Sequence, residues 1–192
     1  MDTLKVMLDL ETLSLKPNAR ILSIGACTFD TSDEVQDVFY EKLDQTEDLI
    51  EGAFDVSSST LNWWSQQDEH IRAEAFSGTT KITNAILSFN NWLQAVKADH
   101  GAKNIAIYSN GAVFDIPVIK NAFDYCSITP PWSFKNELCY RTLCTLFPEQ
   151  YAQAVVGVVN LSKHDALSDA KYQATVLTNL LNVLREEGIN CG

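Results

Sequence analysis

Lys5-Val6-Met7-Leu8-Asp9-Leu10-Glu11-Thr12-Leu13 decides the reading of this chain. Val6, Leu8 and Leu10 point to one side and Met7, Asp9 and Glu11 to the other, the two-residue period of a strand. A strand over Lys5–Leu10 therefore ends on two carboxylates that share a face. Two carboxylates side by side repel and resist ionisation unless a cation lies between them. Hard oxygen ligands of this kind suit Mg²⁺ or Mn²⁺.

Downstream, Pro17-Asn18 signals a turn, and Ile21–Phe29 is a near-continuous apolar run with Ser23 and Gly25 inside it, a buried central strand. A polar turn over Asp30–Glu34 leads to a third strand, Val35–Leu43. Two connections this short predict an antiparallel meander. The period then changes. Ser58 or Ser59 caps a helix through Gln66, a short helix follows over Asp68–Phe76, and Gly78-Thr79-Thr80 breaks the chain. Lys81–Lys97 carries Ile82, Ile86, Phe89, Leu93 and Val96 at spacings of three and four, with Thr80 as cap and Gly101 past the end. Ile105–Ser109 reads as a strand that can pair parallel to the first. Val113–Tyr125 reads as a helix in which Pro117 is tolerable only in the first turn. Pro130-Pro131 marks a loop, Cys139–Phe147 a short helix, and Asp165–Glu187 a long one burying Ala166, Ala170, Ala174, Leu177, Leu180, Leu181 and Leu184. A mixed sheet between helices results, a single α/β domain over residues 1–192 with no repeat or linker. In such sheets ligands bind beyond the carboxyl ends of strands, where Asp9 and Glu11 stand.

The 192 residues carry 14 Lys and Arg against 25 Asp and Glu, a net charge of −11. That excludes a protein that coats nucleic acid or anionic membrane by bulk electrostatics. It leaves room for an enzyme that grips a few phosphates through bound cations. The N-terminus lacks the basic-then-apolar pattern of a signal peptide, and no apolar run approaches the roughly 18 residues of a membrane span. Cys27, Cys126, Cys139, Cys144 and Cys191 form no C-x-x-C pair and no zinc signature with the three histidines. Reduced thiols and a cytoplasmic location are expected.

Two more segments keep company with the first carboxylates. Asn110-Gly111-Ala112-Val113-Phe114-Asp115 follows the fourth strand, and Asp115 stands in a helix's first turn, where the dipole favours an acid. His164-Asp165-Ala166-Leu167-Ser168-Asp169 opens the last helix, with Asp165 in a capping box with Ser162. His70 and His100 read as surface residues.

Together the three segments resemble the DnaQ-like 3′→5′ exonucleases of the DEDDh type. D-x-E is matched by Asp9 and Glu11, the Asn-led turn ending in F-D by Asn110 to Asp115, and H-x-A-x-x-D by His164, Ala166 and Asp169, in order, from residue 5 to about 180. Ser59-Thr60-Leu61-Asn62-Trp63-Trp64-Ser65-Gln66-Gln67 and Cys139-Tyr140-Arg141-Thr142-Leu143 look like the bacterial and phage branch that includes phage exonuclease A and exonuclease VIII-like proteins.

The resemblance implies an RNase H-like fold, a five-stranded mixed sheet flanked by helices. It implies two divalent cations, Mg²⁺ or Mn²⁺, held by Asp9, Glu11, Asp115 and Asp169, with Asp9 bridging both and His164 as general base. The implied substrate is the 3′ end of a single-stranded nucleic acid, DNA favoured over RNA, cut to nucleoside 5′-monophosphates. Exoribonuclease or proofreading roles, and a catalytically silent scaffold, are the alternatives. Thr12, Leu13, Asn110, Phe114 and Arg141 are the expected substrate contacts. Trp63 and Trp64 point about 100° apart on a helix, so one is core and the other can stack on a base; Trp64 is assigned to the substrate. Lys120, Lys163 and Lys171 are further phosphate candidates. A homodimer is the family's suggestion.

Overall fold

The computed structural model describes residues 2–30, 35–160, 162 and 164–189. The chain runs β1 (Thr3–Thr12), β2 (Ile21–Phe29), β3 (Val38–Lys42), α1 (Ser58–Ser65), α2 (Glu69–Ala75), α3 (Ile82–Asp99), β4 (Asn104–Ser109), α4 (Ala112–Tyr125), β5 (Glu137–Cys139), α5 (Tyr140–Leu146), α6 (Pro148–Ala154) and α7 (Ala166–Glu186). The sheet order is β3-β2-β1-β4-β5. β1 pairs antiparallel with β2 and parallel with β4, β2 antiparallel with β3, and β4 parallel with β5. This is the five-stranded mixed sheet that the resemblance implies.

Alternation along β1 sorts the two faces. Val6, Leu8 and Leu10 enter the core built with α3 and α4, around Phe89, Leu93, Ile119 and Phe123. Met7 enters the opposite core with Ala170, Ala174, Leu177 and Leu180 of α7. Asp9 and Glu11 share Met7's parity, so they leave β1 on the α7 side. β2 is buried along its whole length, as expected of a strand covered on both faces.

Gly25 of β2 pairs with Asp9 of β1. A Cβ built on Gly25 would lie 2.2 Å from the backbone carbon of Ala166. The first turn of α7 therefore rests directly on the sheet, beside Asp9, which only glycine permits. Thr178 donates to the Asp30 carbonyl at 2.9 Å and ties α7 down farther along.

Several boundaries differ from the sequence reading. β3 begins at Val38 rather than Val35, and residues 31–34 of the expected turn lie outside the described residues. α3 is preceded by Lys81 rather than Thr80, and a distant side chain caps it: Glu47 accepts from the Ile82 N–H at 2.8 Å. Pro117 sits inside α4, in its second turn. It leaves the carbonyl of Val113 without an N–H four residues on, at a residue that faces solvent. β5 and α6 have no counterpart in the pattern reading; α6 starts on Pro148, the favoured first helical position for proline. Cys27, Cys126, Cys139 and Cys144 are free thiols, and Cys191 lies outside the described residues. No helix among the described residues is long and apolar enough to cross a membrane.

Candidate active site

Three elements converge where β1 ends. Asp9 and Glu11 come from β1, Asp169 from the first turn of α7, and each offers one carboxylate oxygen such that all three atoms lie within 4.8 Å of one another. Asp115, in the first turn of α4, stands outside this trio but beside it. It is 4% exposed, and its Oδ2 accepts from the Gly111 N–H at 3.4 Å. Among the described residues no Lys or Arg pairs with Asp9, Glu11 or Asp169.

Such a cluster pays electrostatically for its own assembly. Burial, then the charges of Asp115 and Glu11, push the Asp9 carboxyl well above the usual carboxylate range, against the hydrogen bond from Gln173. Burial, with Asp169, Asp165 and Asp115, pushes Glu11 up to about 8. Burial pushes Asp115 up to about 6, opposed by the Gly111 N–H. Asp169 is raised by burial, opposed by donors from Asn160 and His164. Convergent oxygen donors, raised together and lacking a cationic partner among the described residues, fit a divalent cation.

The supporting hydrogen bonds fix each carboxylate. Gln173 Nε2 donates to Asp9 Oδ1 at 2.8 Å. Asn160 Nδ2 donates to Asp169 Oδ1, and the His164 N–H donates to Asp169 Oδ2 at 3.1 Å. His164 has a φ of +63°, left-handed backbone that a non-glycine residue seldom adopts. Its ring meets Trp63 edge-on, centroids 4.9 Å apart. Asp165 caps α7 itself, accepting from the Ser168 N–H at 2.8 Å, with Tyr40 donating to its other oxygen. The expected capping box with Ser162 is replaced by this arrangement, because Ser162 is engaged through its own N–H with Asn160.

Two clefts flank the cluster. One, of about 430 Å³, is lined by Glu11, Thr12, Leu15, Ser59, Trp63 and Phe114 among others. The other, of about 280 Å³, is lined by Asn110, Tyr140, Asn160, His164, Asp169 and Gln173 among others. Thr12, Asn110 and Phe114 thus line the clefts beside the carboxylates. Arg141 lies beside Gly111, its guanidinium 3.3 Å from where a Gly111 Cβ would be. Lys120 is engaged with Glu137 at 2.9 Å, Lys171 is exposed, and Lys163 lies outside the described residues.

Two substrate assignments are corrected. Trp64 is 1% exposed and its Nε1–H donates to the Thr12 carbonyl at 3.0 Å, so it is the core tryptophan; Trp63, 40% exposed, is the one with a free face. Leu13 is 4% exposed, packed with Leu22, Trp64 and Ala75, whereas Leu15 is 79% exposed and lines the first cleft. The cause is a register irregularity between Glu11 and Thr12 that breaks the strand's alternation. The sequence reading also missed Gln173 and Asn160. Gln173 carries a signal: it is four residues after Asp169, on the same helical face.

The fold is shared with solved nucleases of low sequence identity. E. coli ExoI in complex with single-stranded DNA, in a zinc-bound form, superposes with a TM-score of 0.64 at 15% identity, over 96% of this chain and 42% of that one. A second E. coli Exonuclease I structure, in complex with a dA16 oligonucleotide, gives the same four values. The nuclease domain of 3′hExo, a DEDDh family member bound to rAMP, superposes with a TM-score of 0.63 at 12% identity, over 93% and 92%. The chain spans about two fifths of the length of the E. coli enzyme that it matches. No curated protein sequence matches it. The family model of the 3′-5′ exoribonuclease Rv2179c-like domain matches residues 4–181, nearly the whole chain. The chain therefore belongs to the Rv2179c-like family of 3′–5′ exonuclease domains.

Proposed function

We infer that this protein trims single-stranded nucleic acid from its 3′ end, one nucleoside 5′-monophosphate at a time, with two divalent cations, Mg²⁺ or Mn²⁺, held by Asp9, Glu11, Asp115 and Asp169. The observation that carries the reading is the convergence of the Asp9, Glu11 and Asp169 oxygens within 4.8 Å. When bound, the cations supply charge stabilisation for the attacking and leaving oxygens of an in-line displacement.

The chain's own residues do the rest. Asp9, Glu11 and Asp169 give up the protons that burial and mutual repulsion favour, so cation binding is tied to proton release. His164, which lines the second cleft with Asp169 and Gln173, takes the proton of the attacking water. The exposed face of Trp63, with Phe114 and Leu15, receives the terminal base by stacking and apolar contact. Thr12, held by its hydroxyl on the Ser14 carbonyl at 2.8 Å, forms the floor beside Glu11.

RNA is the substrate that the family's description favours. DNA is the substrate expected from sequence, and the E. coli ExoI complex with single-stranded DNA favours it as a second reading. The deciding experiment compares 5′-labelled RNA and DNA single strands of one sequence, a duplex, and a circular single strand, each with Mg²⁺, Mn²⁺ or excess EDTA. The linear single strands should shorten one nucleotide at a time, with duplex attacked slowly from frayed ends, and EDTA should stop the reaction. The faster of the two sugars names the substrate. Undiminished hydrolysis in EDTA, or cuts in the circle, would overturn the reading.

A further inference from the structure

Gln173 lies one helical turn beyond Asp169 on α7, so both side chains leave the helix on one face. It is 6% exposed. Its Nε2 donates to Asp9 Oδ1 at 2.8 Å, while its Oε1 meets no donor among the described residues. Its neighbours on α7 three positions before, one after and four after are Ala170, Ala174 and Leu177, all apolar and in this face's core. A carboxamide in such surroundings, with its oxygen unmet, is a poor choice for packing alone.

We propose that Gln173 is a positioning residue that sets the Asp9 carboxylate for a divalent cation. This rests on the cation-dependent reading above. An ionised carboxylate accepts only donors, so the amide nitrogen of Gln173 faces Asp9 whenever the site is charged. One oxygen of Asp9 is then fixed, which fixes the plane of the group and holds it toward the oxygens of Glu11 and Asp169. Without that bond, repulsion from Asp115, Glu11 and Asp169, the same charges that raise its pKa, turns the carboxylate aside. Gln173 itself borders the cleft that His164 and Asp169 also line, while its Oε1 is buried and unmet. Outer-shell groups of this kind orient metal ligands, and their loss weakens metal binding by about 10–100-fold.

The test uses the full chain with Gln173→Met, close in shape but without a donor, and Gln173→Ala as a second variant. Mn²⁺ affinity is measured by calorimetry without nucleic acid, thermal unfolding in EDTA, and kcat and KM on a 3′-ended oligonucleotide. Gln173→Met should unfold in EDTA at or above the wild-type temperature, because a buried unmet oxygen is removed. Its Mn²⁺ affinity should fall about 10–100-fold. Its kcat should fall with KM unchanged and recover in part as Mn²⁺ is raised. Wild-type Mn²⁺ affinity in a folded variant overturns the proposal. So does a loss of stability in EDTA by both variants that parallels the loss of Mn²⁺ affinity, which marks Gln173 as structural. If the wild type trims nothing yet binds Mn²⁺, and Gln173→Met weakens that binding, the functional reading falls and this one stands. A wild type that binds no Mn²⁺ overturns both.

Discussion

Glu11 lets the electrostatic strain of the site be read as stability. Burial and the charges of Asp169, Asp165 and Asp115 hold its carboxyl at about 8 in the folded protein, against an ordinary 4.5. Between those values the folded chain keeps a proton that the unfolded chain has released. Stability is then fully present below about 4.5 and is lost as pH rises through about 8. Each pH unit between the two is worth about 1.36 kcal/mol, so ionising Glu11 costs the cation-free fold on the order of 5 kcal/mol. Asp9, raised well above its ordinary range by burial first, acts with the same sign. Urea unfolding in EDTA at several pH values from 5 to 8.5 measures this directly. The wild type should lose several kcal/mol across the range. Glu11→Gln, which has no proton to lose, should fall by about 4 kcal/mol less over this range and be the more stable protein at pH 8. Mn²⁺ at a hundred times its Kd should return about 2.7 kcal/mol to the wild type. A cation-free wild type that holds or gains stability from pH 5 to 8, or a Glu11→Gln variant that tracks it, would refute the reasoning.

His164→Asn, which tolerates left-handed backbone and keeps the N–H that bonds Asp169, should lower kcat by about 10²–10⁴-fold with Mn²⁺ affinity unchanged; an emptied cation site in calorimetry would make His164 structural. Trp63→Ala should weaken binding of a 3′-ended oligonucleotide by about 1–3 kcal/mol, read by fluorescence titration, and leave the unfolding temperature near wild type. Trp64→Ala should do the reverse, removing about 3–5 kcal/mol of core packing and lowering the unfolding temperature on the order of 10 °C. Gly25→Ala brings a methyl group against the Ala166 backbone; it should cost about 1–3 kcal/mol in urea unfolding and weaken Mn²⁺ binding by lifting Asp169 from Asp9.

What was legible in the sequence is what period and spacing encode. The alternation of β1 places Asp9 and Glu11 on one face, and the i, i+3, i+4 rows of α3 and α7 place their buried sides, because those patterns are local consequences of strand and helix geometry. β5 escaped because three residues are too few to show a period. The tryptophan pair was inverted for a different reason. Adjacent helical residues diverge by about 100°, but which of them is buried depends on where α1 meets the chain after β1, and Trp64 settles there on the Thr12 carbonyl. Leu13 is expected at the substrate through the resemblance alone, and the irregularity at Glu11 and Thr12 instead leaves it packed with Leu22 and Trp64. Gln173 was within reach, one turn from Asp169, yet its bond to Asp9 crosses from α7 to β1, 164 positions apart. That contact exists because Gly25 lets α7 lie on the sheet beside Asp9. The four carboxylates are therefore named by short motifs, while the approach of Asp169 to Asp9 and Glu11 rests on a glycine that no motif contains. A sequence that kept every motif residue but placed a side chain at position 25 would carry the same signature with its site pried open.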